Sequence, residues 1–383
     1  MRNGLVPHQK IYSSIACNLN QQLLQASLPL FSSEKVEAIE WSFDTLFKVK
    51  SIPDWFVELL QTFGNEGRLI GHGVFFSLFS GKWSEEQQFW LKHLKKVSSN
   101  FQFDHISEHF GFMTGEDFHK GAPIAVPFTK ETLRIGIDRL QRIQDACECP
   151  VGLENLAFSY SKEEVKQHGD FLNQLLEPVN GFIILDLHNL YCQLKNFDLN
   201  FETLIALYPL NRVREIHISG GSWETSALFP QKDIRRDTHD DAVPEEVFEL
   251  LQKSLSLCDN LKFVVLEQLG TALVTPEEQL RFQDDFDRMQ AIVEAFNQQN
   301  TLFSKNDFSA IRHVLNNPIP SSEELFKQQN ELSSILTKAK NVDEANRLLF
   351  QSSLADSAWN SESWSPYMLE TAMRIAQKWE KGW

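Results

Sequence analysis

Residues 151–191, VGLENLAFSYSKEEVKQHGDFLNQLLEPVNGFIILDLHNLY, read as one strand–helix–strand unit. Two short aliphatic runs, Val151–Glu154 and Phe182–Leu187, flank the stretch SKEEVKQHGDFLNQLLEPV, in which apolar residues recur at three and four. Strands joined by a helical crossover lie parallel and right-handed. Both runs also finish on groups able to hold metal: Glu154 and Asn155 after the first, Asp186, His188 and Asn189 after the second.

The same alternation extends in both directions. Strands are expected at Gly4–Pro7 (placed by position more than by pattern), Val36–Phe43, Leu69–Phe75, Phe103–His109, Val213–Ile218 and Phe263–Glu267, which with the first two makes eight. Between them lie helical stretches with recognisable starts. SIPDWFVELLQTFG has Pro53 early and Gly64 as its stop, and SEEQQFWLKHLKKV opens on Ser84 with acidic residues in the first turn. TKETLRIGIDRLQRIQDACE, VPEEVFELLQKSLSL and TPEEQLRFQDDFDRMQAIVEAF begin alike. Eight strand–helix repeats favour closure, so the expected fold is α/β, a (β/α)8 TIM barrel over residues 1–300. After Asn300 no strand is expected. Asn317-Pro318 and Pro320 mark a break, and SEELFKQQNELSSILTKAK, VDEANRLLFQSSLAD and SPYMLETAMRIAQKWEKGW read as helices of a C-terminal extension, 301–383. That extension either packs on the barrel or meets a partner.

Composition narrows the function. Hydrophobic residues are 42% of the 383 and include 30 Phe, enough for a core without covalent staples. The net charge of −16 disfavours nucleic acid and anionic membrane as partners and suits a small molecule or peptide. Five scattered cysteines (Cys17, Cys147, Cys149, Cys192, Cys258) are no disulfide framework, and the Cys147/Cys149 pair has no second pair to complete a zinc knuckle. The first residues lack a signal-peptide core and no apolar run reaches membrane-spanning length, so a cytoplasmic protein is expected.

In a barrel of this kind the C-terminal strand ends face one pocket. Here they carry His72 (third strand), Glu108 and His109 (fourth), Glu154 and Asn155 (fifth), Asp186, His188 and Asn189 (sixth), His217 (seventh) and Glu267 (eighth). The loop RRDTHDD adds Asp237, His239, Asp240 and Asp241. Any one of these has a plain explanation: a lone strand-end His is usually hydrogen-bonded structure, and an Asp-rich loop is usually solvated. The set is harder to explain, because several carboxylates at the ends of aliphatic strands need positive charge and few Lys or Arg lie nearby. Metal ions supply it. Mixed imidazole and carboxylate donors without paired thiolates point to Fe, Mn, Zn or Co, and more than six donors suggest two or three ions, with Glu154 able to bridge. Glu215, Asp240 and Asp241 are candidates to accept the second imidazole proton.

At GHGVFFSL, SEHFGF, PFTKETL, GLENLAF, LDLHNLY, VREIHISGG, DTHDDAVPEEVFELL and VVLEQLG, in this order, the sequence resembles the DUF692 family of multinuclear non-heme iron-dependent oxidative enzymes, over about residues 1–295. The resemblance implies one iron at Glu154, Asp186, His217 and Glu267, a second at His72, His109 and the bridging Glu154, and a third position at Asn189, Asp237 and His239. It leaves His188 between matched positions. It further implies two or three Fe ions, O2 as co-substrate, a Cys-containing ribosomally made precursor peptide as substrate, and a small partner protein delivering that peptide. The segments FFSLFSG after His72 and FGF after His109 depart from the family pattern, and the extension after Asn300 is outside its core. Two other readings of the same residues stay open. One is a divalent-metal xylose-isomerase-like isomerase or hydrolase, for which no barrel Lys is placed; the other is a non-enzymatic metal-binding scaffold. His93, on an expected exposed helix, should tolerate Ala without effect.

Overall fold

The computed structural model describes residues 10–47, 51–115, 120–300 and 304–380. Its strands are β1 Tyr12–Ala16, β2 Ala38–Trp41, β3 Leu69–Gly73, β4 His105–Glu108, β5 Phe112–Met113, β6 Pro123–Ile124, β7 Val151–Glu154, β8 Phe182–Asp186, β9 Val213–Ile218, β10 Trp223–Thr225, β11 Asp233–Arg235 and β12 Phe263–Leu266. Its helices are α1 Gln21–Ser32, α2 Asp54–Asn65, α3 Glu85–Asn100, α4 Lys130–Cys147, α5 Lys162–Leu176, α6 Leu187–Phe197, α7 Phe201–Ile205, α8 Glu245–Leu255, α9 Pro276–Gln299, α10 Glu323–Lys338, α11 Val342–Phe350 and α12 Pro366–Trp379. Eight parallel strands close in the order β1-β2-β3-β4-β7-β8-β9-β12, with β12 returning to β1. This is the expected (β/α)8 TIM barrel. The small pairs β5–β6 and β10–β11 are antiparallel hairpins in the loops after β4 and β9.

The helix starts follow the sequence signals. Ser84 and Thr129 accept from the N–H three residues on, and Gln87 and Thr132 reach back to complete capping boxes. Thr275 does the same with Glu278, with Pro276 in the first helical position.

Several strand limits differ from expectation for local reasons. The first barrel strand is Tyr12–Ala16; Gly4–Pro7 lies outside the described residues. YSSIA is a weak apolar signal because Ser13 and Ser14, both wholly buried, occupy two of its five positions. The second strand stops at Trp41, since Phe43–Leu46 winds into a 3-10 turn. The third stops at Gly73 because the N–H groups of Val74 and Phe75 turn to Asp44 Oδ2, each at 3.0 Å. The sixth ends on Asp186, whose carboxylate accepts from Asn189 N and starts α6 at once.

The chain beyond α9 crosses the full height of the barrel. Phe308 packs on Phe182, the first residue of β8, at the N-terminal end (ring centroids 6.0 Å). Residues 309–320 then climb the outer face of α4: Gln144 Oε1 accepts from Ile311 N, and Arg142 and Arg139 donate to the carbonyls of Asn316 and Pro320. Ser322 N reaches Gly81 O beyond the C-terminal end of β3. There α10 docks through Gln329, which accepts from Gly81 N and donates to Phe79 O, both at 2.8 Å. The helices α10–α12 therefore sit at the end of the barrel where the strands deliver their terminal side chains. Among the described residues no helix is long and apolar enough to cross a membrane.

Candidate metal centre

Parallel strands in register bring their last residues to one level. Asp186 sits beside His217 in the β8–β9 ladder, and Glu154 and Glu267 lie at or just past the ends of β7 and β12. Three groups each present donor atoms within 4.8 Å of one another: His72, His109 and Glu154; Glu154, Asp186 and His217; and Glu40, His217 and Glu267. Glu154 and His217 each belong to two, so the three groups are continuous. Glu154 Oε2 lies 3.5 Å from His72 Nε2 and 3.4 Å from His109 Nε2, and Glu267 Oε2 lies 3.1 Å from His217 Nδ1.

The hydrogen bonds fix which imidazole nitrogen is free. Ser107 Oγ donates to Gly71 O, so His72 Nδ1–H donates to Ser107 Oγ at 2.8 Å and Nε2 keeps a lone pair facing Glu154. His217 Nε2 lies 3.2 Å from Glu215 Oε1, leaving Nδ1 toward Glu267 without hydrogen-bond alignment. His109 Nδ1, Asp186 Oδ2 and Asn189 Oδ1 are likewise buried without a hydrogen-bond partner. Unpaired polar atoms are rare in a folded core. Those of Asp186 and His217 belong to the donor groups just described, and imidazole nitrogen with carboxylate oxygen is a donor set that suits a transition metal.

Charge gives the same answer. Burial, then Asp186 beside it, push Glu154 well above the ordinary carboxylate range; burial and Asp237 lift Asp186 to about 7. Burial opposes protonation of His217, yet Glu267 and Glu40 hold its pKa well above the usual value. Among the described residues no Lys or Arg pairs with these acids, and the cluster holds protons instead. His72 and His109 behave oppositely: burial keeps both neutral, His109 near 4.

Asp237 and His239 extend the cluster from the loop after β11. His239 Nε2 lies 2.9 Å from Asp237 Oδ1, and its backbone is left-handed (φ 51°), with its carbonyl taken by Leu269 N–H. His239 Nδ1 lies 4.0 Å from Glu267 Oε2, which joins this end to the rest, and Asn189 Nδ2 donates to Glu154 Oε1 at 3.0 Å.

His188 stands apart. Its Nδ1 faces Asp237 Oδ1 at 3.0 Å and its Nε2 accepts from Arg235 Nε at 3.1 Å, so both nitrogens are engaged and its place is behind Asp237. Arg235 is itself flanked by the rings of Tyr191 and Trp223. Asn155 exchanges two hydrogen bonds with the Asp186 backbone and clamps β7 to β8. Glu108 is buried toward Asp44, outside the three groups. Of the suggested proton acceptors, Glu215 takes that place; Asp240 and Asp241 are exposed and bond locally to Thr238 and to Ala242 N. Glu40 was not anticipated. It lies inside the short strand AIEW, one residue before its end, and only the closed barrel carries it to 3.1 Å from His217.

A cavity of about 530 Å3 opens above this cluster, with His72, His109, Glu154, Asn189, His239 and Glu267 in its floor.

Residues 34–271 match the family described as RiPP precursor modification enzyme MbnB/TglH/ChrH. The chain belongs to this family. Among curated relatives, a UPF0276 protein of Shewanella loihica is 28% identical over 161 residues, covering 42% of this chain and 55% of that protein. A UPF0276 protein of Caulobacter vibrioides is 26% identical over 183 residues, 47% of this chain and 62% of that one. The chain thus spans between half and two thirds of the length of these relatives. Among solved structures, a xylose isomerase domain protein from Planctomyces limnophilus is 14% identical with a TM-score of 0.49, covering 76% of this chain and 99% of that one. The MbnB/TglH/ChrH match holds every residue of the metal-capable cluster and stops before α9 and the C-terminal helices.

Proposed function

We propose that this MbnB/TglH/ChrH-family chain is a multinuclear iron enzyme that uses O2 to modify a cysteine of a ribosomally made precursor peptide. The observation that carries the reading is the continuous run of buried and half-buried donors from His72 and His109 through Glu154 to Asp186, His217 and Glu267, with unpaired atoms on His109, Asp186 and His217. In this reading one iron would be held by Glu154, Asp186, His217 and Glu267, and a second by His72 and His109 with Glu154 available to both. A third position uses Asn189, Asp237 and His239. Bound there, iron would supply a Lewis acid for the substrate thiolate and the electrons for reducing O2.

The remaining tasks fall to the chain. Ser107 holds His72 in the tautomer that points a lone pair into the cluster, and Glu215 would do the same for His217 once it gives up a proton. His188, backed by Arg235, orients Asp237. Apolar walls that include Phe75, Phe110 and Phe158 keep bulk water from the reacting atoms. We read residues 1–300 as the catalytic barrel and 301–383 as an extension serving it, with delivery of the peptide by a small partner protein. The free cysteines, four of them buried, suit a reducing, cytoplasmic setting.

Co-production with a Cys-containing precursor encoded beside the gene tests the reading. The expected result is O2-dependent uptake that changes the peptide mass and is lost when that Cys is Ser. A metal-loaded enzyme that consumes O2 with no change in the peptide would contradict it.

A further inference from the structure

The cavity over the metal cluster is not walled by the barrel alone. Met368, Thr371, Ile375, Lys378 and Trp379 line it from one face of α12, spaced at three, four, three and one. This helix lies outside the family-matched span 34–271.

It is held in place from several sides. The Glu370 carboxylate accepts from Ser226 Oγ (2.6 Å) and Ala227 N (3.0 Å) in the loop between β10 and β11, and Arg374 joins Glu370 to Glu224 of β10. Tyr367 O–H donates to Asn196 O of α6, and Gly121 N, beside β6, donates to Trp379 O. Just before the helix, Trp364 stacks on Tyr160 of the β7–α5 loop with ring centroids 3.7 Å apart. Behind it, Gln377 donates to the Leu336 and Ala339 carbonyls of α10 and the segment after it. A helix tied to three of the loops at this end and to α6 holds its side chains at fixed positions over the floor.

The face it presents carries Met368, Ile375 and Trp379 together with Thr371 and the exposed Lys378. Met368 is buried, Ile375 is half-buried, and across the cavity stand Phe75, Phe110, Leu156 and Phe158. Arg235, Arg236 and Lys378 also line the cavity, but the stretch between Met368 and Ile375 on one side and Phe75, Phe110, Leu156 and Phe158 on the other offers an apolar neighbour of the reacting group a place of its own.

We propose that α12 is the specificity wall of the cavity, with Met368 and Ile375 selecting an apolar residue next to the reacting residue of the peptide. The inference rests on the reading that a peptide enters this cavity. Because the family-matched core lacks α12, the wall makes peptide choice a property of the C-terminal helices while the chemistry stays with the barrel.

The test uses the full-length, metal-loaded protein and four end-blocked tripeptides, Leu-Cys-Leu, Asp-Cys-Asp, Leu-Ser-Leu and Asp-Ser-Asp, with binding measured by calorimetry. The unaltered protein should prefer each leucyl peptide over its aspartyl counterpart by about tenfold or more, the scale of one well-buried apolar contact. Ile375→Asp should abolish that preference and Ile375→Leu should keep it, with metal content unchanged in both. The serine pair separates this inference from the cysteine chemistry: if only the thiol reading fails, the preference persists in the serine peptides and still disappears in Ile375→Asp. Equal binding of leucyl and aspartyl peptides by the unaltered protein, a preference that survives Ile375→Asp, or no binding of any of the four overturns it.

Discussion

At the N-terminal end of the barrel interior, Asp104 sits 2.7 Å from Arg214, beside Lys262, and 2.9 Å from His105 Nδ1. His105 Nε2 then meets Glu215 Oε2 at 2.7 Å, and Phe308 packs beneath. At the C-terminal end the residue types are the same, His, Asp and Glu, but among the described residues no Lys or Arg pairs with an acid of the three donor groups: of the cations lining the cavity, Arg235 bonds His188, Arg236 pairs with Glu224, and Lys378 belongs to α12. Burial acts to raise Asp104, yet Arg214 and His105 hold it far below the usual carboxylate range. At the other end Asp186 rises to about 7 and Glu154 well above its ordinary value. Buried acids with protein cations beside them are structure; buried acids left with unpaired atoms wait for a cation from outside. Glu215 serves both ends, taking His105 on one oxygen and His217 on the other.

The largest expected effect separates the two ends outright. Glu154→Ala removes the donor shared by two groups, and His217→Ala does the same for its two, so each should lose most bound metal while the barrel stays folded and somewhat less stable. Elemental analysis paired with circular dichroism measures both. Full metal stoichiometry in both variants would break the assignment.

Arg214→Met should do the reverse. It leaves Asp104 with Lys262 and His105 but strips its closest guanidinium, costing about 3 kcal/mol of stability in denaturant unfolding. Metal stoichiometry should not change.

Acidity gives a smaller, graded effect at the C-terminal end only. The metal-free Asp186 titrates near 7, because burial disfavours its charge and Asp237 lies close. Below that pH an incoming ion must displace its proton, so metal affinity should weaken about tenfold per pH unit as pH falls from 7 to 5. Above pH 8 the Asp186 contribution should fade, leaving only the dependence set by the protons on Glu154 and His217. Equilibrium dialysis across pH 5 to 8.5 checks it, and a flat profile would mean that Asp186 takes no part.

The smallest effect is expected at His93. His93 was expected on an exposed face, yet it is half-buried, with its ring packed edge-on against Phe47 at 5.0 Å between centroids. His93→Ala should therefore cost up to about 1 kcal/mol in thermal unfolding while metal content stays the same.

Much of the site could be read because a parallel barrel converts sequence position into spatial position: a polar residue at the end of an aliphatic run arrives at one face whatever its distance along the chain. That is why His72, Glu154, Asp186, His217 and Glu267 meet. The failures are of two kinds. Tyr12–Ala16 was missed because its buried serines blur the apolar signal, and Glu40 because the end-of-run rule looks past a Glu that precedes Trp41. The other kind is long-range. Whether Asp104 or Asp186 has a cation beside it depends on Arg214 and Lys262, and the wall formed by α12 depends on a strap that climbs α4; local pattern carries neither. His188 looked equivalent to its neighbours in LDLHNLY until Arg235 and Asp237 claimed both of its nitrogens.

Metal content of the protein purified without oxygen, by elemental analysis with iron spectroscopy on the same sample, tests the central claim most directly. Two or three irons per chain, at least two of them magnetically coupled through a shared ligand, is the predicted result. A single zinc or manganese with no iron would contradict it and turn the same cluster toward hydrolytic or isomerase chemistry.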